Sequence, residues 1–283
     1  MAGPAIPLHQ LPGGSSVPTR VERILPTVQD VRNDVHRHAY HEVFLFRTGN
    51  GSHMIDLRSW PVSAPAVHVV APGQVHRLER SADMEGLVVL FGGNVLSGPA
   101  RASHAELFLG SGQPPVHSLE ADRMAEAWQL VELMERELEA EGTPQTDVVN
   151  AYLGILLLKC AQWAREQHAG RLALLEDHDP VRRFLELLEH HFLSERQVAH
   201  YAGQLSLTPD HLNGLVKERL GRTASTVVQE RLLLEAKRLL VHGGHSIKEV
   251  AYALNMQDPA YFTRWFRKME GTTPVQFRDT YQA

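Results

Sequence analysis

Residues 202–223 read AGQLSLTPDHLNGLVKERLGRT, and residues 251–273 read AYALNMQDPAYFTRWFRKMEGTT. The second is a copy of the first with one extra residue in its turn. Ala202 and Leu205 match Ala251 and Leu254. Thr208-Pro209 matches Asp258-Pro259. Leu212, Leu215 and Val216 match Phe262, Trp265 and Phe266, and Gly221 matches Gly271. Each matched position has a mechanical reason. Thr208 and Asp258 are N-caps, whose side-chain oxygens accept orphan backbone N–H groups. Pro209 and Pro259 take the first helical position, where a missing N–H costs little. Gly221 and Gly271 end their helices, where a left-handed residue is needed. Ala202 and Ala251 are small enough for two helices to cross closely. Each copy is therefore helix, tight turn, helix, and the second helix carries an inward apolar stripe. That is the helix-turn-helix layout, which sets its second helix in the DNA major groove.

One such match would not separate DNA binding from an ordinary pair of helical hairpins. Two with the same cap grammar favour DNA. Between them, a helix from about Ser225 to Leu240 would span roughly 24 Å. Such a strut suits two recognition helices held about one DNA turn, some 34 Å, apart. Charge agrees. Residues 180–283 hold 14 Lys+Arg and 11 Asp+Glu, a net of +3, whereas residues 1–179 hold 14 and 22, a net of −8. A C-terminal third of opposite sign fits an anionic partner.

Residues 180–283 resemble the DNA-binding domain of the AraC/XylS family of bacterial transcription regulators. The closing stretch FRKMEGTTPVQFRDTY resembles that family's signature, with a Gly-x-x-Pro turn and the pair Phe277-Arg278. The resemblance implies two helix-turn-helix units joined by a linker helix, at about 196–220 and 246–270. It also implies a cupin-like N-terminal domain that binds an effector, contact with RNA polymerase, and activation more often than repression.

Candidate DNA contacts follow from the helical face opposite the apolar stripe. In the second unit it carries Ala260, Thr263, Arg264, Arg267 and Lys268. Arg264 suits a bidentate contact to guanine with Thr263 beside it, and Arg267 and Lys268 suit phosphate. In the first unit the face carries Asp210, His211, Asn213, Gly214 and Lys217. Asn213 suits adenine and Lys217 phosphate. Gly214 stands where the family commonly has a long polar side chain, and Asn255 where it commonly has a turn glycine. The expectation is therefore that Asn213 and its neighbours carry much of the first unit's base reading, or that this unit reads little.

The rest of the chain divides in two. Residues 20–115 alternate short apolar runs (VFLF at 43–46, VHVV at 67–70, LVVLF at 87–91) with Gly, Pro and Ser turns. This pattern predicts an all-β barrel or sandwich. Residues 116–170 predict an antiparallel helix pair that links or dimerises. Leu130, Met134 and Leu138 form a stripe that packs on the barrel or joins a dimer seam. Residues 1–19, with no basic start and no apolar core, read as a mobile tail rather than a secretory signal. The stretch from Gly170 to Pro180 reads as a linker. The expected fold class is thus α+β and multidomain: a cupin-like barrel, a helical segment, and an all-α DNA-binding domain. One cysteine, Cys160, excludes an intrachain disulfide and fits a reducing cytoplasm.

Within the barrel, HRHAYHE at 36–42 sets three histidines and a glutamate in seven residues. In a regular strand His36, His38, Tyr40 and Glu42 share a face. His76 follows a Pro-Gly turn. The set resembles the cupin motifs, whose metal-binding members would use His36, His38, Glu42 and His76 as ligands. Three readings stay open: a metal-free effector pocket formed by His36, His38, Tyr40, Glu42 and His76, a divalent metal site, or a polar strand. The reading adopted is the effector pocket, with no cofactor and no metal assigned. Its rival is a cupin-type metalloenzyme or metal sensor. No P-loop, GxSxG or paired cysteine is present, and no catalytic residue is assigned. Expected partners are double-stranded DNA, a small-molecule effector, RNA polymerase and a second copy of the chain, with no membrane.

Overall fold

In a computed structural model, residues 8–10, 19–92, 95, 96, 100, 103, 104, 107, 108, 114–140, 146–167 and 179–282 are described. Most of the expected tail, the turn after Ala140 and the linker before Asp179 lie outside them. The chain divides into two units, the boundary falling at Asp177/His178.

The N-terminal unit is built on two sheets. One is ordered β1 (Leu8–His9), β4 (His36–His38), β9 (Val75–Arg80), β6 (Asn50–Ile55), β7 (Arg58–Ser63), with β3 (Val31–Arg32) also on β9. The other is ordered β11 (Val116–Ser118), β8 (Ala66–Val70), β5 (His41–Thr48), β10 (Glu85–Phe91), β2 (Thr19–Ile24). No ladder joins the two among the described residues, so the expected barrel is an open pair of sheets, not a closed one. The chain changes sheet at sharp corners. Gly49 (φ +86°) turns β5 into β6, and a side chain there would bring Cβ within 2.6 Å of the Met84 backbone.

The second sheet is covered on both faces, which explains its unbroken apolar runs. Val43, Leu45, Val67, Val69, Leu87 and Val89 face α1 (Ala121–Glu139) and α2 (Thr146–Gln167). Phe44, Phe46, Val70, Val88 and Leu90 face the first sheet, against Ile55, Val62 and Leu78. Period-two alternation thus fills two cores from one strand. Leu130, Met134 and Leu138 pack into the helix-side core. The strands and the helix pair, read from sequence as successive segments, therefore share one core. No helix among the described residues is long and apolar enough to cross a membrane.

The C-terminal unit is all helical: α3 (Pro180–His191), α4 (Val198–Gln204), α5 (Pro209–Leu220), α6 (Ala224–His242), α7 (Ile247–Ala253), α8 (Pro259–Glu270) and α9 (Pro274–Gln282). Its core is the apolar stripe of the repeat, with Ala202, Leu212, Val216, Ala251, Leu254, Phe262 and Phe266 buried. The nineteen-residue α6 is longer at both ends than the sequence suggested.

Candidate nucleic-acid interface and a buried histidine cluster

Each repeat builds its turn in the same way. The Thr208 hydroxyl accepts the His211 N–H at 3.2 Å, and the Asp258 carboxylate accepts the Ala260 N–H at 2.8 Å. Gly221 and Gly271 both have positive φ. So do Ser206 and Asn255, which occupy the same place in the two turns. The Ser206 equivalence is a feature the sequence reading missed. The two units are also tied together. Arg196 donates to the carbonyls of Leu254 at 2.5 Å and Asn255 at 3.1 Å. Trp265 donates to Gln229 of α6 at 2.7 Å. The signature pair is structural. Phe277 packs edge-to-face on Phe266, and Arg278 donates to the carbonyls of Leu240 and His245.

The exposed face of α8 carries Ala260, Tyr261, Arg264, Arg267 and Lys268. Arg264 is well exposed and lies 3.6 Å from Asp258. Thr263 is half-buried, and its hydroxyl donates to the Pro259 carbonyl at 3.0 Å. Tyr261, which the sequence reading left out, is exposed in its stead. Its signal was its place directly after Ala260 and three residues before Arg264. On α5 the exposed residues are Pro209, Asp210, His211, Gly214, Lys217, Glu218 and Arg219, the last paired with Asp179 at 3.4 Å. Asn213 is half-buried, and its carbonyl oxygen lies 3.4 Å from the Ser225 N–H. Its amide oxygen is thus turned toward the start of α6. The α8 face is basic, whereas the α5 face mixes both signs.

In the N-terminal unit the stretch HRHAYHE is not one strand. It breaks at Ala39-Tyr40, so His38 ends β4 in the first sheet and Glu42 lies on β5 in the second. The break aims both into the space between the sheets. There His38 Nε2 lies 2.9 Å from Glu42 Oε2, His76 Nε2 lies 3.5 Å from the same oxygen, and the two ring nitrogens are 3.1 Å apart. All three residues are buried. Tyr40 stacks on His38, and burial pushes its hydroxyl up to about 12. His36 does not join them. Its Nδ1 donates to the Asp34 carbonyl at 2.9 Å, and its ring lies beside that of His76. Four carried-over ligands thus reduce to His38, Glu42 and His76. Two imidazoles and a carboxylate are a donor set for zinc, iron, manganese or cobalt. No N–H is aligned on Glu42 Oε2 among the described residues, an orphaned carboxylate oxygen that a cation would satisfy.

Sequence reasoning missed His53 and His68. His53 Nε2 lies 3.1 Å from His76 Nδ1, and His53 Nδ1 lies 3.2 Å from His68 Nδ1. Burial holds His53 and His76 well below the ordinary histidine range and brings His68 down to about 3. His41, one position before Glu42, points to the opposite side. It stacks on Phe91, with its Nε2 2.8 Å from that of His104.

The duplicated turn and the basic second helix define a DNA-binding protein with two helix-turn-helix units. Residues 201–280 match the family model described as a helix-turn-helix domain. The HTH-type transcriptional activator RhaS of Escherichia coli is 27% identical over 252 residues, 86% of this chain and 86% of its own. Among solved structures, ToxT from Vibrio cholerae O395 aligns over 94% of this chain and 98% of its own, at 14% identity and a TM-score of 0.41. The C-terminal domain of AraT, a response regulator from Geobacillus stearothermophilus, covers 38% of this chain and 88% of its own, at 27% identity and a TM-score of 0.35. Residues 201–280 thus form a helix-turn-helix DNA-binding domain, and over most of its length the chain is similar to a transcription regulator.

Proposed function

We propose that the chain activates transcription under the control of an effector taken up by its N-terminal unit. The observation that carries this reading is the exposed, basic face of α8 behind a turn capped like its partner's. The relative RhaS is an activator, which supports the direction of control. Arg264 reads a guanine, with Tyr261 and Ala260 against neighbouring bases. Arg267, Lys268 and Lys217 hold phosphates, and Asp210, His211 and Asn213 line the weaker first contact. His36, His38, Tyr40, Glu42 and His76 surround the effector. The effector favours one arrangement of the protein by its differential affinity, changing operator affinity or polymerase contact. The chain acts in the cytoplasm as a homodimer, and no catalytic role is assigned to it. The outer face of α2, with Val148, Ile155 and Leu158 exposed, supports dimerisation. A second reading, in which the effector is a cation rather than an organic molecule, is favoured by the orphaned Glu42 oxygen.

The test is operator selection from a randomised duplex pool, then anisotropy titration at fixed salt. Arg264→Ala is expected to weaken binding by about 1–3 kcal/mol and to relax one base position. An unchanged selection profile would remove Arg264 from the reading set.

A further inference from the structure

Proton positions in the histidine cluster constrain what fits it. A carbonyl only accepts, so His38 Nδ1 must donate to Tyr40 O, 2.6 Å away. A neutral His38 then turns a lone pair at Nε2 toward Glu42 and His76. Beyond His76 the rings stand in file, His76 to His53 to His68. Two neutral proton orders satisfy this file. In one, His68 donates to His53, His53 to His76, and His76 Nε2 keeps its proton toward Glu42 and His38. In the other, His76 donates from Nδ1 to His53, His53 donates to His68, and His76 Nε2 bears a lone pair. Each ring stays neutral in both orders. One proton leaves beside Glu42 and one enters at His68 Nε2.

The second order makes three electron-pair donors converge: His38 Nε2, His76 Nε2 and Glu42 Oε2. Buried donors this close repel unless a cation stands among them. The side chains are already in mutual contact, so an organic molecule would have to part them and an ion would not. We propose that His38, Glu42 and His76 bind a divalent transition-metal ion, and that His53 and His68 are positioning residues whose hydrogen bonds set His76 for it. This rests on the reading of the N-terminal unit as the input side of a regulator. It makes that input a metal ion and carries its occupancy along three rings from β9 through β6 to β8.

The experiment uses full-length protein stripped with a chelator, zinc as the probe, and competition against a chromophoric chelator. About one zinc per chain is expected, lost in Glu42→Gln. His53→Phe is expected to weaken zinc by about 10–100-fold, the usual effect of removing an outer partner of a ligand. In the wild type, nitrogen-15 chemical shifts of His68 are expected to move its proton from Nδ1 to Nε2 as zinc is added. That readout needs no variant and a purely structural role would not produce it. Failure to bind zinc would overturn the proposal. So would zinc binding undiminished in Glu42→Gln, which would place the ion elsewhere, for example at His190, His191 and His200. Full affinity in His53→Phe with an unmoved His68 would remove the positioning role. Operator binding by zinc-free protein is measured alongside. If it persists while zinc fails to bind, the ion alone is refuted; if it is absent with zinc and without, the regulator reading fails.

Discussion

Gly214 stands in mid-helix on the exposed face of α5, and a Cβ added there meets nothing within 4 Å. The helix therefore carries the entropic cost of a glycine without a packing reason for it. Gly214→Ala is expected to stabilise the protein by about 0.5–1 kcal/mol in urea unfolding; no gain would mean that something else holds the glycine. His68 makes the opposite kind of prediction. Its folded value of about 3 lies below the ordinary 6.5 because burial disfavours the imidazolium. Below pH 6.5 the unfolded chain takes up a proton that the folded chain refuses. Stability is therefore full above pH 6.5 and falls as pH drops toward 3. Between pH 7 and pH 5 this residue alone is expected to remove about 2 kcal/mol. Urea unfolding of chelator-treated protein at the two pH values measures it, and His68→Phe should remove that share. An equal pH dependence in the variant would refute the assignment.

Between elements, the two helix-turn-helix units are held by few contacts, and Arg196 is one whose effect is separable. Its guanidinium spends two donors on the carbonyls at the left-handed turn before α8. Arg196→Met keeps the stem and loses both bonds. The expected loss is about 1.5–3 kcal/mol of stability, with weaker operator binding at temperatures where the variant is folded. Wild-type affinity in a destabilised variant would show that α6 alone sets the spacing. What the sequence disclosed follows the same division. The caps, prolines and terminal glycines act within four residues of themselves, so both units were legible down to Thr208 and Asp258. The partners of Asn213 and Thr263 were not read: the Ser225 N–H reaches Asn213 only because α6 folds back on α5, and the Thr263 hydroxyl donates to the Pro259 carbonyl one turn earlier in its own helix. Glu42, His38 and His76 were legible as a set. Their arrangement was not, because the break at Ala39-Tyr40 sends neighbours into different sheets. His53 and His68 join only through the pairing register of β6, β8 and β9, which no local pattern contains.

Across the whole molecule, charge is partitioned, with a net of −8 before residue 180 and +3 after it. The partition does not extend evenly to the two recognition helices. Arg264, Arg267 and Lys268 make the α8 face basic, while on α5 Asp210 and Glu218 oppose Lys217, and Arg219 is paired with Asp179. Like charges near phosphate repel, so the second unit should carry most of the counterion release on binding. Each phosphate contact adds about 0.9 to the slope of log affinity against log salt. Arg267→Ala is therefore expected to lower that slope by about 1 and to weaken operator and scrambled duplex alike. Lys217→Ala should lower it less, because its neighbours already repel the backbone. Arg264→Ala should instead cost affinity mainly on the operator. Titrations at four salt concentrations on both duplexes separate these effects. Equal slope losses for Lys217→Ala and Arg267→Ala would mean that the two units share the phosphate backbone equally, contrary to their surface charges.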